Sequence, residues 1–310
     1  MKKVLLTGAT GYIGKFTIRH LLEDGYAVHA VSSKPIADEN SGSPGDNIVR
    51  HQADLLSSEQ TGDLLRSVRP THLLHLAWFV EHGKFWNAEE NLQWLDASVY
   101  LAECFAENGG ERMVSAGTCA EYDWTRTGPF SEKSLPDRPR TLYGAAKSEL
   151  ALSLERMAQA RGFSFASGKV FFPFGADEAP VRLIPSVIKS LLFDKPAETS
   201  HGRQIRDYMY VEDIAEAFAA LLKSDVTGPV NIASGKRVTL MEIINIIAEI
   251  IGKPELLQIG AMVVSTDEPP EILADVRRLR SEVNFNKEFD LRERLKETVS
   301  YWKRVYEIND

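Results

Sequence analysis

The first fourteen residues constrain the fold more than any other stretch of the chain. A short apolar run, Lys3 to Leu6, leads directly into the glycine-rich segment TGATGYIG, and apolar residues at helical spacing follow from Phe16 to Leu22. A buried strand that enters a glycine turn and then a helix is the opening unit of a dinucleotide-binding sheet. Glycine lets the backbone approach a pyrophosphate, and the helix N-terminus offers N–H groups to that anion. The segment therefore predicts a cofactor site made by Gly8, Thr10, Gly11, Tyr12, Ile13 and Gly14; the alternative is a tight turn without a ligand.

Strand-like and helix-period segments alternate through the rest of the first half. The pattern predicts strands at 27–31, 48–50, 71–77, 112–115 and 165–171, and helices at 92–107 and 142–161. Strands that alternate with helices indicate a parallel sheet with right-handed crossovers. The predicted fold class is therefore α/β, a Rossmann-type doubly wound parallel sheet of about seven strands with a smaller mixed α/β C-terminal lobe.

The pattern changes after residue 171, where prolines become frequent. Helices are predicted at 183–193, 211–223, 239–251 and 290–306, and residues 229–232 are predicted as a last strand that returns to the main sheet. Thr239 with Glu242 is a capping-box pair, and Asp290 with Glu293 is a second one. We therefore assign residues 1–171, with about 204–235, to the dinucleotide-binding domain, and about 172–203 and 236–310 to a substrate lobe.

Charge and cysteine content exclude several classes of partner. The 310 residues carry a net charge of −8 without a lysine- or arginine-rich run, which argues against nucleic acid or an anionic membrane as partner. The two cysteines, Cys104 and Cys119, lack metal-ligand spacing, so neither a metal site nor a disulfide is predicted. The chain enters a strand at once and has no run long enough to span a membrane, so we expect a cytoplasmic protein.

The end of the second strand bears on which dinucleotide binds. An NAD enzyme usually places an acidic residue there, which hydrogen-bonds the ribose 2′-hydroxyl. This chain has Ser32, Ser33 and Lys34 instead, and hydroxyls with a cation suit a 2′-phosphate. The sequence therefore predicts NADP over NAD; the alternative is that Lys34 is a solvated loop residue. Four further cofactor contacts are predicted where later strands end: Asp54 and Leu55, which could instead form a helix cap, and Leu76 and Ala77.

Tyr143 and Lys147 are the candidate catalytic pair. They lie four residues apart at the start of a predicted helix, so both side chains project from one helical face. A tyrosine pKa near 10 is too high for a base at neutral pH, and a nearby ammonium would lower it. Tyr143 could then exchange a proton with a carbonyl or alcohol oxygen, and Lys147 could also reach ribose hydroxyls. Thr118, where a strand ends, is predicted to donate to the same oxygen, and Ser115 is the less favoured alternative.

These segments together resemble the extended short-chain dehydrogenase/reductases. The resemblance rests on TGATGYIG, LHLA, the Thr118–Tyr143–Lys147 set and RQIRDYMYVEDIAEA, and more narrowly the chain is similar to nucleotide-sugar epimerases, dehydratases and reductases. It implies a Rossmann domain with bound NAD(P), a C-terminal lobe for a nucleotide-diphosphate sugar, and a homodimer. The family's 4,6-dehydratases carry an Asp-Glu pair after the threonine, where this chain has Cys119 and Ala120. Cys119 could be an acid–base thiol or, more simply, a small buried apolar residue.

The resemblance also implies substrate contacts. Arg206 matches the arginine of the family's RD motif and would bind the diphosphate, while Asp207 would fix the loop or cap the next helix. An aromatic loop, residues 78–87, follows the fourth strand and could either close over the sugar or cover the core. Within it, Trp78 and His82 are the candidate substrate contacts, with His82 a possible second acid.

One expected phosphate contact lacks a counterpart in the sequence. Family members usually carry a second arginine shortly before the segment that matches 274–275, but this chain reads Pro269-Pro270-Glu271 there. Arg182 or Arg203 could substitute. The resulting expectation is an NADPH-dependent reductase of a nucleotide-linked 4-keto-6-deoxyhexose, with Tyr143 as proton donor. The alternatives are an NAD-dependent nucleotide-sugar 4-epimerase and, less favoured, a non-catalytic dinucleotide-binding sensor.

Overall fold

The computed structural model describes residues 2–34, 47–126, 128–133, 138–263 and 268–308. In chain order, its strands are β1 (Lys3–Thr7), β2 (Ala27–Ser32), β3 (Ile48–Gln52), β4 (His72–His75), β5 (Arg112–Thr118), β6 (Pro129–Phe130), β7 (Ser164–Val170), β8 (Phe172–Phe174), β9 (Ala197–Thr199), β10 (Ile205–Arg206), β11 (Tyr208–Tyr210), β12 (Gly228–Ile232), β13 (Val238–Thr239), β14 (Leu257–Ile259) and β15 (Glu271–Ala274). Its α-helices are α1 (Gly14–Glu23), α2 (Ser58–Val68), α3 (Glu90–Glu107), α4 (Leu142–Arg161), α5 (Leu183–Leu192), α6 (Val211–Lys223), α7 (Leu240–Ile251), α8 (Arg277–Ser281) and α9 (Leu291–Val305).

The main sheet has seven parallel strands in the order β12-β7-β5-β4-β1-β2-β3. The chain builds outwards from β1 in both directions, so the strand order reverses between β1 and β4. In open α/β sheets the crevice at such a reversal, beyond the carboxyl ends of the strands, is where ligands bind. The predicted Rossmann-type sheet is confirmed, and residues 228–232 return to it as its last strand.

Both faces of this sheet are covered by helices. α1 and α6 pack together on one face, where Leu21 and Phe218 belong to one buried apolar cluster. α2, α3 and α4 cover the other face through Leu65, Leu101 and Leu154. This double covering explains why the strands read as nearly continuous apolar runs.

The C-terminal part forms a smaller α/β region with its own core. α5, α7 and α9 pack around a third cluster that includes Ile188, Ile244 and Trp302. A four-stranded sheet, β13-β10-β15-β6, lies beside it, with two further strand pairs, β11-β8 and β14-β9. Strand β6 comes from the first 171 residues yet pairs with β15, so the two predicted domains interleave at this sheet. The domain boundaries given above remain predictions.

Three local features differ from the sequence interpretation or add to it. Helix α2 was not predicted, although Ser57 caps it by accepting a hydrogen bond from the Gln60 amide. Strand β5 continues to Thr118, so the expectation that Ser115 ends the strand is wrong: Ser115 is an interior residue paired with His75 and Ser167. Among the described residues, no helix is long and apolar enough to cross a membrane.

Candidate active site

The glycine turn after β1 is shaped to admit a ligand close to its backbone. Gly8 has φ of +68°, and a Cβ there would lie 2.8 Å from the Ala77 nitrogen. A Cβ on Gly14 would overlap the Gly8 carbonyl oxygen, so the first turn of α1 packs directly on the loop. Tyr12 and Ile13 immediately precede α1, where backbone amides have no intrahelical acceptor and can bind an anion. The turn, with Leu76 and Ala77 beside it, therefore fits a dinucleotide.

The residues after β2 form the second part of this cofactor region. The Thr10 and Ser32 hydroxyls lie 3.0 Å apart, and the Lys34 amide donates to the Ser32 hydroxyl at 3.1 Å. The side chains of Ser33 and Lys34 are exposed, as a 2′-phosphate contact requires. The segment that follows them in the sequence, residues 35–46, lies outside the described residues.

The two predicted adenine contacts differ in their surroundings. The Asp54 carboxylate accepts a hydrogen bond from the Leu56 amide at 3.0 Å, which stabilises the turn before α2 and is not the helix cap given above as its alternative. The cap of α2 itself comes from Ser57. Asp54 is exposed, whereas Leu55 is buried in the cluster below α2 and α3. The second carboxylate oxygen of Asp54 takes no part in the hydrogen bond with Leu56. A contact between Asp54 and the adenine of the cofactor stays a prediction.

Thr118 and Tyr143 meet at the carboxyl end of β5. Thr141 caps α4 by accepting a hydrogen bond from the Gly144 amide, which places Tyr143 in the first turn of that helix. The Thr118 hydroxyl lies close enough to the Tyr143 phenol to lower the pKa of that phenol, and it accepts a hydrogen bond from the Ala120 amide at 3.2 Å. Two hydroxyl groups are therefore directed at one point beside the crevice, where a substrate oxygen could bind to both.

Lys147 lies one turn further along α4 and is 4% exposed. Its ammonium donates to the Ala116 carbonyl oxygen at 2.8 Å and lies 3.8 Å from the centre of the Trp78 ring. Burial lowers the pKa of Lys147 to about 7, and the Glu121 carboxylate acts in the opposite direction. A carbonyl and an aromatic face are both favourable to an ammonium, so the site favours a charged Lys147 against the cost of burying it.

The cation that acts on Tyr143 is not the Lys147 ammonium that the sequence predicts. Burial raises the pKa of Tyr143 well above its ordinary value of 10.0, and the Thr118 hydroxyl opposes this rise. The cation that lowers the pKa is Arg182, from the C-terminal region. In this state Tyr143 is a protonated phenol, ready to donate.

One part of the aromatic loop covers the core, as one of the two alternatives predicts, and another part packs on Tyr143; closure over the sugar stays a prediction. Trp78 packs on the core beside Trp94, and its indole N–H donates to Asn91 at 2.9 Å. Phe85 and Trp86 lie edge-on to Tyr143, with ring centres 4.9 and 6.0 Å away. The loop therefore forms an aromatic wall on Tyr143.

One further member of this wall was not predicted from the sequence. Trp124, from the segment after Thr118, continues the wall with its ring centre 6.2 Å from Trp86, and the sequence analysis missed it. His82 is exposed on the same loop, and a role for it as a second acid stays a prediction. Apolar rings beside a proton donor are typical of a sugar-binding surface, because they pack against the C–H face of a pyranose while hydroxyls point elsewhere.

Cys119 follows Thr118 and is 4% exposed within the apolar cluster under α6. Burial raises the pKa of its thiol to about 12, with Arg206 opposing the rise. A thiol in this environment stays protonated at neutral pH, which favours the packing interpretation over an acid–base role.

We therefore expect Cys119→Ala to change kcat by less than about twofold, because the substitution removes only buried apolar volume. It should cost about 1 kcal/mol of unfolding free energy for the lost sulfur. Steady-state kinetics and thermal unfolding of the purified variant measure the two effects. A tenfold loss of kcat in a variant that is as folded as the wild type would restore the acid–base assignment.

Arg206 ends strand β10 in the smaller sheet, and Asp207 follows it directly. Arg206 is 5% exposed, pairs with Glu268 at 2.7 Å and lies 5.6 Å from the Phe172 ring centre. Asp207 is fully buried and accepts hydrogen bonds from the amides of Ser234, Gly235 and Ala274. Burial raises the pKa of Asp207 to about 6, and those hydrogen bonds oppose the rise. Asp207 thus fixes the loops around Arg206, the first of its two predicted roles.

The two arginines suggested as substitutes for the missing phosphate contact differ in placement. Arg203 is exposed, and among the described residues it forms no ion pair with an acidic side chain. Arg182 pairs with the buried Glu178 at 3.0 Å and interacts electrostatically with Tyr143. Arg182 therefore lies nearer to the reacting region, although its charge is already partly compensated.

The structure also identifies site residues that the sequence did not indicate. Glu121 and Lys169 form a buried ion pair beneath Thr118, and Glu268 partners Arg206. Each contact joins residues that lie far apart in the sequence, so no local spacing could reveal them. Among the described residues, no group of three or more His, Cys, Asp or Glu side chains could hold a metal ion.

Comparison with known proteins agrees with this geometry. The sequence pattern of the family described as "NAD dependent epimerase/dehydratase family" matches residues 4–233. The chain is 28% identical to a UDP-glucose 4-epimerase of Neisseria meningitidis serogroup B over 79% of this chain and 81% of that protein. It is 26% identical to a UDP-glucuronate 4-epimerase of Thermodesulfobacterium geofontis over 98% and 97%.

A solved structure, MoeE5 in complex with UDP-glucuronic acid and NAD, superimposes on this chain with a TM-score of 0.80 and 27% identity. The alignment covers 98% of this chain and 99% of that one. The matched sequence pattern covers most of the chain and includes the glycine turn, Thr118, Tyr143, Lys147 and Arg206. This chain therefore belongs to the NAD-dependent epimerase/dehydratase family.

Proposed function

We propose that this protein is an NAD-dependent nucleotide-sugar 4-epimerase, with a UDP-hexose as the substrate class. The observation that carries the proposal is the placement of Thr118, at the carboxyl end of β5, beside Tyr143 in the first turn of α4, with Lys147 one helical turn further along. That arrangement supports oxidation and reduction at a sugar carbon that bears oxygen. The 4-epimerase activity of the curated relatives favours epimerisation over the net reduction predicted from the sequence.

Each residue has a distinct part in this reaction. Bound NAD supplies the oxidising and reducing equivalents at C4 of the sugar. Tyr143 takes the proton from the C4 hydroxyl and later returns one to the C4 oxygen, while Thr118 fixes the position of that oxygen. Arg206 binds the diphosphate, and Phe85 and Trp86 pack on the sugar. Gly8, Gly11 and Gly14 would hold the cofactor pyrophosphate, Lys147 would bind the ribose hydroxyls of the cofactor, and Arg182 favours the tyrosinate.

Dehydration is disfavoured by the positions next to Thr118. Cys119 is a protonated buried thiol, and Ala120 has no acid–base group. The nearest carboxylate, Glu121, accepts the Thr118 amide and pairs with Lys169. The side chains that follow Thr118 therefore offer no acid and base for removing water.

A second candidate is the NADPH-dependent reduction of a nucleotide-linked 4-keto-6-deoxyhexose. The exposed hydroxyl of Ser33 and the ammonium of Lys34 at the end of β2 favour it, because they suit a 2′-phosphate. The two candidates use the same proton donor and differ in whether the cofactor is consumed.

The deciding experiment uses the purified protein in two assays. In the first, UDP-glucose, UDP-galactose and UDP-glucuronate are incubated without added cofactor, and the anomeric proton signals are followed by NMR. We expect interconversion of 4-epimers, with NAD recovered after acid release from the protein. In the second, NADPH and NADH absorbance is followed with UDP-, dTDP-, CDP- and GDP-4-keto-6-deoxyhexoses. Stoichiometric NADPH oxidation without any epimer formation would replace the epimerase proposal with the reductase.

The homodimer implied by the family resemblance stays a prediction. α3 and α4 pack side by side, and Leu92 and Leu152 on them are each 49% exposed. We expect light scattering after size-exclusion chromatography to give twice the 34.6 kDa chain mass. A monomer mass at micromolar concentration would reject this expectation.

A further inference from the structure

A buried ion pair lies directly beneath the catalytic threonine. The Lys169 ammonium is 3.3 Å from one carboxylate oxygen of Glu121, and the other oxygen accepts the Thr118 amide at 2.7 Å. Glu121 is 1% exposed and Lys169 is 4% exposed. The Lys169 ammonium also lies 4.3 Å from the centre of the Tyr122 ring. The end of β5 is thus tied to a carboxylate that is itself tied to the neighbouring strand β7.

The backbone is adapted to this arrangement. Gly117 is paired with Lys169 in the β5–β7 register, and a Cβ on Gly117 would lie 2.6 Å from the Glu121 carboxylate. It would also lie 2.8 Å from the Ser167 hydroxyl. Glycine at 117 is therefore required for Glu121 to reach under Thr118, and any larger residue would displace the carboxylate.

Stability alone does not account for such a pair. Burying two opposite charges costs desolvation energy that their attraction only about offsets, and well-packed apolar residues often do as well or better. The Thr118 amide that Glu121 accepts is two residues along β5 from Ala116, whose carbonyl oxygen accepts the Lys147 ammonium at 2.8 Å. Its position next to the reacting groups points to a role in the chemistry.

We propose that Glu121, held by Lys169, is a positioning residue: it fixes the end of β5, which carries Thr118 and the Ala116 carbonyl oxygen that accepts Lys147. A negative charge at this end of β5 also favours the ammonium form of Lys147. The part of this proposal that concerns catalysis rests on the proposed function. Its electrostatic part concerns Lys147 alone and can be measured without substrate.

The groups around Lys147 support this assignment. The Trp78 ring and the Ala116 carbonyl stabilise the ammonium, and His75 is fully buried between Thr7 and Ser98. Burial lowers the pKa of His75 to about 3, so this ring is neutral at physiological pH. Burial lowers the pKa of Lys147 to about 7, and the negative charge of the Glu121 carboxylate opposes this fall. Removing the negative charge must therefore lower that pKa further.

The test is the ionisation of Lys147 in the full-length protein. Lysine labelled with ¹³C at Cε gives one signal per lysine, and Lys147→Met identifies the relevant one. We expect the midpoint of this signal in Glu121→Gln to move below that of the wild type, because glutamine can still accept the Thr118 amide but carries no charge. Asp213→Asn is the matched control: Asp213 is also a buried, ion-paired acid, but its partners are Lys287 and Arg294. This control should leave the Lys147 midpoint where it is.

Kinetics then test the catalytic part. Above the midpoint, each unit by which the pKa of Lys147 falls makes its ammonium form about tenfold scarcer. The kcat of Glu121→Gln should therefore fall more at pH 8 than at pH 6. Glu121→Leu, which also removes the acceptor of the Thr118 amide, should lower kcat further at both pH values. The double variant Glu121→Gln/Lys169→Met removes both buried charges, so it should fold and show a smaller downward shift of the Lys147 midpoint, because the loss of the Lys169 cation opposes the loss of the Glu121 carboxylate.

The outcomes separate the two proposals. A Lys147 midpoint that is unchanged in Glu121→Gln overturns the electrostatic role, whatever the activity of the enzyme, and a kcat of Glu121→Leu equal to that of the wild type overturns the positioning role. A lowered midpoint in a wild-type protein that neither epimerises nor reduces any sugar supports the electrostatic role and rejects the proposed function. A lowered midpoint with an unchanged kcat–pH profile overturns the claim that this charge matters for turnover.

Discussion

Tyr143→Phe is expected to lower kcat by about 10²- to 10⁴-fold, the usual contribution of a positioned proton donor or acceptor. The substitution removes the phenol oxygen beside Thr118 and leaves the ring in contact with Phe85 and Trp86. Because the aromatic packing is kept, the free energy of unfolding should change little. Turnover of the UDP-sugar, measured with cofactor content and thermal unfolding of the same preparation, tests this expectation.

A matched control separates proton transfer from the loss of any buried phenol. Tyr26 is 4% exposed and lies at the start of β2, where its ring packs on His72 at 5.3 Å. Tyr26→Phe removes the same atom outside the candidate site, so kcat should stay at the wild-type value. If Tyr143→Phe kept more than a third of wild-type kcat, Tyr143 could not be the proton donor, and Thr118 would have to be examined in its place.

The elements that could be predicted are those whose signals are local. Helix α4 occupies the predicted residues, because Thr141 caps its start and Gly162, in the left-handed conformation, ends it. The capping box of α7 is also present, with Thr239 and Glu242 bonded reciprocally. Such signals lie within four residues of the helix end and are visible in any sequence.

The features that could not be predicted depend on pairing between distant segments. Strand β5 reaches Thr118 because it pairs with β7 up to Val170, and the sequence around Ser115 contains no sign of this. Glu268 partners Arg206 because β10 and β15 are neighbours in the smaller sheet. The candidate catalytic residues could be named from their motif, whereas the charges that act on them, from Arg182, Glu121 and Lys169, required the structure.

The choice between reduction and epimerisation shows the same limit. Thr118, Tyr143 and Lys147 support either reaction, because both need one proton donor next to one redox carbon. The sequence argument for reduction rested on Cys119 and Ala120, which stand in place of the dehydratase acids, and the argument for NADP rested on Ser32, Ser33 and Lys34, which concern the far end of the cofactor. Residues that set cofactor preference do not determine whether the sugar is reduced or only epimerised. The 4-epimerase activity of the relatives therefore has greater weight in choosing between the two reactions.

Arg206→Ala is expected to raise KM for the nucleotide sugar by about 10- to 150-fold, with a much smaller effect on cofactor affinity. Charged hydrogen bonds are worth about 1.5–3 kcal/mol each, and a guanidinium can bind two phosphate oxygens at once. Arg206 is suited to this because its guanidinium carries five N–H donors, of which the Glu268 carboxylate takes one from one terminal nitrogen. Its other terminal nitrogen donates to the Ile205 carbonyl oxygen. Initial rates at varied UDP-sugar concentration give KM, and fluorescence titration with NADH gives the cofactor affinity.

Two companion variants show whether the loss concerns phosphate binding or the fold. Arg206→Lys keeps the charge but cannot bind bidentately, so its KM should fall between those of the wild type and the alanine variant. Glu268→Gln removes the competing carboxylate; the guanidinium then loses an internal partner and gains attraction for phosphate, so KM should stay the same or fall. A KM that rises equally in Glu268→Gln and Arg206→Ala would mean that the ion pair maintains the loop, and the diphosphate would have to bind elsewhere. With Asp207 bonded to three amides next to it, the backbone around Arg206 is fixed independently of that ion pair, which is why we expect the two variants to differ.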